Sequence, residues 1–279
     1  MQGSDMESLT VIKIGGNVID DDDVFEDCLN KIARAQTPIV LVHGGGKIAT
    51  TVGERLGVQA VMIEGRRVTD KATLEIVTMV YGGLVNKRIV AGLQARGVNA
   101  LGLSGADGDL VRARKRPVGE IDYGFVGDIE RVREERLRRL LETGFTPVFA
   151  PLAHDGAGAM LNVNADTVAS EIAAALAATR SVRLLYCFDK PGVLRAPDDD
   201  ASLIPRLDAE EYRRLQASGA IAKGMIPKLD NAFAALRRGV FSVSIAGLEA
   251  LENIEDIKDG INAFPTPHRY GTAVVLEAL

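Results

Sequence analysis

The sequence predicts an α/β protein, a mainly parallel or mixed sheet covered by helices. Short apolar runs alternate with amphipathic helical stretches for most of the chain. The opening reads as a βαβ unit with a glycine turn after each strand. A length of 279 residues, 47% apolar and 25% charged, is enough to bury a large core and is the balance of a folded soluble chain.

Each element has its own signal. LTVIKIGG (9–16) and TPIVLVHGGG (37–46) are buried strands that run straight into glycine, and VFEDCLNKIARA between them has helical periodicity. Such a unit puts both turns at one sheet edge, beyond the carboxyl ends of the strands, where open α/β sheets bind ligands. GRRVT (65–69) is a turn into a long helical region, 70–97, and VNALGLSG (98–105) is the next strand. DLVRARKRPVG and EIDYGFVGDIERV read as extended hairpins projecting from the sheet. FTPVFAPLA (145–153) is one further buried strand, and NADTVASEIAAALAA (164–178) is a helix capped by Asn164. VRLLYCFDKPGVL (182–194) is a strand breaking at Asp189. GMIPKLDNAFAALRRG (224–239) is a helix with Pro227 in its first turn, and VFSVSIAG and GTAVVLEAL supply the last strands. The boundary between two lobes falls near 178–183.

Composition narrows the function. A net charge of −5 argues against nonspecific nucleic-acid binding, so any anion site is local. Cys28 and Cys187 lie far apart in sequence and read as free thiols of a reducing compartment, and three scattered histidines form no metal cluster. The start MQGSDMES lacks a signal-peptide core, and no stretch approaches about 18 uninterrupted apolar residues. The expectation is a cytoplasmic protein with no membrane partner.

VLVHGGGKIAT (40–50) has the look of a phosphate loop. It is not a Walker loop: Ile48 follows Gly46-Lys47, leaving no hydroxyl for magnesium, and no glycine stands five residues before Gly46. The Gly-x-Gly-x-x-Gly dinucleotide spacing is absent too. What remains is close backbone approach to an anion, or simply a tight strand-to-helix turn. Lys13 is a lysine inside the apolar run TVIKIGG, which favours function over a surface lysine at a strand end. Lys228 reads equally well as a solvated helix residue. Asn164 reads as a cap, and Asp166 in the same first turn also fits simple dipole stabilisation. His43 reads as structural.

KIGG (13–16), HGGG (43–46), GRRVT (65–69), VNK (85–87), NVNAD (162–166) and GMIPK (224–228), in this order and spacing, resemble the amino acid kinase family from about Leu9 to Leu276. The resemblance implies a three-layer αβα sandwich in two lobes. Residues 1–180 would bind an acyl-glutamate and dimerise, and 181–279 would bind ATP. It implies transfer of the γ-phosphoryl group of ATP to the side-chain carboxylate of N-acetyl-L-glutamate, in arginine biosynthesis, with magnesium carried by the nucleotide and no dedicated metal site. A carboxylate is already ionised at neutral pH, so this chemistry needs charge neutralisation and positioning, not a general base. By resemblance Lys13 and Lys228 flank the transferring group, Asp166 holds both lysines, and Gly15 and Gly16 approach the nucleotide. Gly44 and Gly45 direct N–H groups at the acceptor carboxylate, Arg67 grips the α-carboxylate and Asn162 the substrate backbone. Asp189, Lys190, Gly192, Val193, Leu194, Ala220, Ile221 and Ala222 match nucleotide-binding stretches. Departures are Arg66 where an apolar residue is usual, Phe188 where a small hydroxyl residue is common, and Lys223 where glycine is common.

Two other readings stay open. An N-succinyl-L-glutamate kinase keeps the chemistry, with RARKR (112–116) offering a cation to the extra carboxylate, or that cluster is a solvated hairpin. A non-catalytic nucleotide- or arginine-sensing module would lack Lys13, Lys228 or Asp166, and all three are present. By resemblance to relatives with an N-terminal ring-forming helix, the short segment before the first strand predicts a homodimer with little arginine feedback, the long 70–97 helix forming the interface.

Overall fold

The computed structural model describes residues 7–63, 65–196, 198–219, 221, 224–253 and 271–276. β1 (Ser8–Ile14) is apolar on both faces: Leu9 and Val11 enter one core, Ile12 and Ile14 the other. A short helix α1 (Gly16–Asp20), not foreseen from sequence, precedes α2 (Asp22–Ala33), whose Asp21 cap accepts from the Asp23 and Val24 N–H groups. β2 (Ile39–His43) returns parallel to β1 and leads through the glycine turn into α3 (Gly46–Arg55). The segment read as a turn at 65–69 is half of a hairpin, β3 (Val61–Ile63) and β4 (Arg66–Val68). α4 (Lys71–Val77), a π-helical stretch Thr78–Val85 and α5 (Asn86–Gln94) form one helical run, widened where Gly82 and Gly83 weaken the ordinary turn. Its 24 residues are long and apolar enough to span a bilayer, but Ile76, Val80, Val85, Ile89 and Leu93 are buried against the sheet, as in a core helix.

β5 (Ala100–Leu103), β6 (Val111–Lys115), β7 (Gly127–Val132) and α6 (Glu134–Glu142) follow, the helix being a second element not foreseen. The stretch 145–153, expected as one strand, divides at Pro151: β8 (Thr146–Phe149) stays in the large sheet and β9 (Leu152–His154) joins a small one with β10 (Met160–Asn162). Proline has no N–H for the ladder, so the chain changes sheet there. α7 (Ala165–Leu176) begins at Asn164, whose side chain accepts from the Asp166 and Thr167 N–H groups, as expected. β11 (Ser181–Cys187), β12 (Arg206–Leu207), α8 (Ala209–Ala217), α9 (Ile226–Arg237), β13 (Ser242–Ala246) and β14 (Thr272–Val274) complete the described chain; α8 was also not foreseen.

The large sheet has the order β12-β14-β13-β11-β1-β2-β8-β5, parallel except for the β13/β14 pair. One face is covered by α6, α7, α8 and α9, the other by α1 to α5, giving the expected three-layer αβα sandwich. The small sheet, β10-β9-β6-β7, stands apart from it. Asp109 ties that end together by accepting hydrogen bonds from Arg112, Arg133 and His154. Cys28 and Cys187, distant in sequence, are both free and buried in one core cluster. Burial pushes the Cys28 thiol up to about 12, and the Cys187 thiol also rises through burial.

Candidate active site

From β1 the chain moves to β2 on one side, while β11 and β13 lie on the other. The carboxyl ends of β1 and β11 therefore frame a switch point, the place where open α/β sheets hold ligands. Hydrogen bonding continues one residue past each strand. The Gly15 N–H donates to the Cys187 carbonyl at 3.0 Å, and the Gly44 N–H donates to the Ile14 carbonyl at 3.1 Å. These bonds press the two glycine turns together, so that a Cβ on Gly44 would come within 3.3 Å of the Gly16 nitrogen. Gly45 has φ +141°, and a Cβ there would meet the Tyr81 ring at 3.2 Å. The expectation for Gly44 is corrected here: its N–H is held by Ile14 and does not face the cleft. The Gly16 and Gly45 N–H groups make no hydrogen bond among the described residues and remain as donors.

Strand alternation places Lys13 on the face of Leu9 and Val11, beneath α7 and α9, and leaves it 9% exposed. Asp166 reaches down from the first turn of α7 and Lys228 from the first turn of α9. Both ammonium nitrogens lie 2.9 Å from the same oxygen, Asp166 Oδ1. Burial acts to raise the Asp166 carboxyl, but the two lysines outweigh it and hold the group well below the usual carboxylate range. Burial, then the neighbouring Lys13, lowers Lys228 to about 8 against the pull of Asp166. Two cations on one carboxylate leave one net positive charge.

Beside this cluster a cavity of about 320 Å³ is bounded by Gly44, Gly45, Arg67, Asn162 and Pro227. Arg67 and Arg66 are successive residues of β4, so their side chains diverge. Arg67 Nη2 donates to the Gly46 carbonyl and to Thr50 Oγ1, each at 2.8 Å, while Arg66 is exposed at the rim. Asn162 Nδ2 donates to Thr69 Oγ1 at 3.0 Å, joining the hairpin segment to the small sheet. Gly124, at φ +68°, allows the Thr69 carbonyl to pass where a Cβ would stand 2.2 Å away. Sequence reasoning missed Tyr81 and Asn231, which also line the cavity, and Arg116 of the RARKR cluster lines it too. Asn231 had a legible signal, since it lies one helical turn from Lys228; Tyr81 had none, because an aromatic on an apolar helix reads as core. His43 is structural: it is fully buried, burial lowers it to about 4, and Asn86 Nδ2 lies 3.2 Å from its Nε2.

The stretches matched to nucleotide binding are less uniform. Asp189 Oδ2 accepts from Asn17 Nδ2 at 2.9 Å across the switch point, and Lys190 Nζ lies 3.6 Å from Asp200 Oδ1. Gly192 passes so close to Leu203 and Thr272 that a side chain would collide with both. Val193, Leu194 and Ile221 are buried in packing, and the Val193 N–H donates to Thr272 Oγ1 at 2.8 Å, so their side chains present nothing to a ligand. Ala220, Ala222 and Lys223 lie outside the described residues.

Fold and site together define an α/β protein that concentrates fixed cations and free backbone donors at a sheet switch point, the equipment of a phosphotransferase. The chain belongs to the amino acid kinase family, whose profile matches residues 8–247. It is 55% identical over 245 residues to the acetylglutamate kinase of Bacteroides fragilis, covering 88% of this chain and 94% of that one. It is 44% identical over 247 residues to the acetylglutamate kinase of Methanopyrus kandleri, covering 87% and 96%. Among solved structures, the smu.665 protein of Streptococcus mutans UA159 superposes with a TM-score of 0.77 at 27% identity, covering 96% of this chain and 99% of that one. An N-acetylglutamate synthase from Neisseria gonorrhoeae gives 0.79 at 23% identity, a likeness of fold; this chain covers 61% of it, and 98% of this chain is matched.

Proposed function

We propose that the chain transfers the γ-phosphoryl group of ATP to the side-chain carboxylate of N-acetyl-L-glutamate, giving an acyl phosphate for arginine biosynthesis. The observation that carries this reading is the pair of lysines, Lys13 and Lys228, each 2.9 Å from Asp166 Oδ1 at the switch point and beside the cavity that Arg67 and Asn162 line. The relatives named acetylglutamate kinase support the choice of acceptor.

The difficulty of this reaction is bringing an anionic carboxylate to an anionic triphosphate. Lys13 and Lys228 neutralise the charge that spreads over the transferring group, and Asp166 fixes both without cancelling them. The Gly16 and Gly45 N–H groups supply neutral donors that need no reorganisation. Arg67, anchored by Gly46 and Thr50, offers its remaining donors to the α-carboxylate, and Asn162 faces the amide end of the substrate. No residue moves a proton, in keeping with a neutral, buried His43. ATP lies against the lobe 181–279, with Gly15, Gly16 and the backbone of the 189–194 segment as its contacts, and magnesium enters as its counter-ion. The acceptor lies in the lobe 1–180. The enzyme works as a cytoplasmic homodimer, for which the exposed Met79 and Leu84 on the long helical run supply an apolar face.

A second reading, N-succinyl-L-glutamate as acceptor, is favoured by one residue of the RARKR cluster. Arg112 is held by Asp109, Arg114 lies 3.9 Å from Glu130, and Arg116 is held by Asp128 at 2.6 Å, but Arg116 also lines the cavity and its buried Nη1 has no hydrogen-bond partner among the described residues. Trapping the acyl phosphate as a hydroxamate, with each acyl-glutamate in turn, tests both. Hydroxamate from the acetyl substrate is expected; equal or better turnover of the succinyl substrate transfers the assignment, and none from either overturns the proposal.

A further inference from the structure

Two ammonium groups on one buried carboxylate raise the question of what stabilises the second cation. Lys228 is 7% exposed, and its neighbours from the packed elements are Lys13 on β1, Asp166 on α7, and Tyr186 and Cys187 on β11. Among the described residues no second carboxylate pairs with it. Instead, Lys228 Nζ stands 4.9 Å from the centroid of the Tyr186 ring and 5.8 Å from that of Phe188.

The β1/β11 register explains the arrangement. Tyr186 pairs with Lys13, and alternation turns both toward the α7/α9 face where Lys228 descends. The Tyr186 hydroxyl donates to the Asp166 carbonyl at 3.2 Å, which orients the ring, and Tyr186 is fully buried. Phe188, next along the same face, packs its Cβ 3.6 Å from where a Cβ on Gly15 would stand. We propose that Tyr186 and Phe188 are positioning residues, an aromatic cradle that stabilises the Lys228 ammonium beside Lys13 and aims it at the transferring phosphoryl group. The physical advantage is specific. A second carboxylate would pair with Lys228 and repel an incoming triphosphate, whereas a ring face attracts the cation through its quadrupole and adds no formal charge. The unusual Phe188 thus acquires a role at the transfer site.

This inference rests on the reading of Lys228 as a phosphoryl-binding lysine, and the experiment separates the two. Tyr186→Phe, Tyr186→Leu, Phe188→Leu and Lys228→Ala are compared by kcat and KM across pH, and by the ¹³Cε titration of labelled Lys228 in the free enzyme. Loss of a ring removes stabilisation of the charged amine, so the Lys228 titration and the basic limb of kcat should move down by about one pH unit in Phe188→Leu and Tyr186→Leu. At pH 8 this is roughly a fivefold fall in kcat, with KM for both substrates changing less than about twofold. Tyr186→Phe keeps the ring and should titrate as wild type. If Tyr186→Leu does not fold, Phe188→Leu decides. An unmoved Lys228 titration in folded Phe188→Leu overturns the cradle, including the case where kcat falls equally at every pH. Wild-type turnover by Lys228→Ala overturns the functional reading itself.

Discussion

At the scale of residues, the site is a charge imbalance held by geometry. Removing Lys13 or Lys228 as alanine should lower kcat by about 10²–10³, the range for deleting one transition-state donor, with smaller change in KM; steady-state kinetics checks this. Asp166→Asn leaves two buried ammonium groups unpaired and should destabilise the fold by about 3–5 kcal/mol, read from denaturant unfolding. The pH signs differ for the two groups. Asp166 has a depressed folded value, so its stabilisation is present above the ordinary carboxylate range near 3.8 and is lost as pH falls below it toward the folded value. Lys228 is lowered from 10.5 to about 8, so its burial cost is full below pH 8 and is relieved between 8 and 10.5 as the folded state sheds the proton first. Activity should therefore decline above about pH 8 while the folded state is not weakened by that proton, a divergence that parallel rate and unfolding profiles would reveal. Lys13 was legible because a charge inside an apolar strand has no structural excuse. Tyr186 and Tyr81 were not, since a buried aromatic in an apolar run is what any core contains.

At the scale of elements, short segments with explicit chemistry were read well. Asn164 caps α7 as its side chain and position predict, and Asn164→Ala should cost about 1 kcal/mol, visible as a lower melting temperature, with the N-terminus of α7 and so Asp166 loosened. Gly45→Ala should be worse than its size suggests, because φ +141° is strained for any side chain and the new Cβ would press on Tyr81; loss of acyl-glutamate binding in calorimetry is the expected result. The elements that went unread, α1, α6 and α8, are short and mostly polar, so neither a long apolar stripe nor a glycine boundary announced them. The division of 145–153 at Pro151 was invisible for a different reason: an apolar run has the same composition whether its two halves pair in one sheet or two. The Gly44 N–H shows the same limit, since glycine marks a turn but not which carbonyl its amide will find.

At the scale of the whole molecule, the strand order decides the chemistry. β1 pairs with β11 over seven residues, so both proposed lobes contribute strands to one continuous sheet and the site sits on their seam. If the exposed Met79 and Leu84 face is the dimer contact, Leu84→Glu should shift the mass in light scattering from two chains to one while leaving each fold intact. By itself the sequence determined the α/β class, the central strands and the two glycine turns, and it singled out Lys13, because periodicity, backbone freedom and an isolated charge are local properties; Lys228 and Asp166 stood out only through the family resemblance. Only the tertiary structure decided that Lys13, Asp166 and Lys228, separated by up to 215 positions, share one oxygen, and that aromatic rings lie against the second cation. Those facts depend on strand register and on which helices cover which face of the sheet, and register is set by the packing of the whole core.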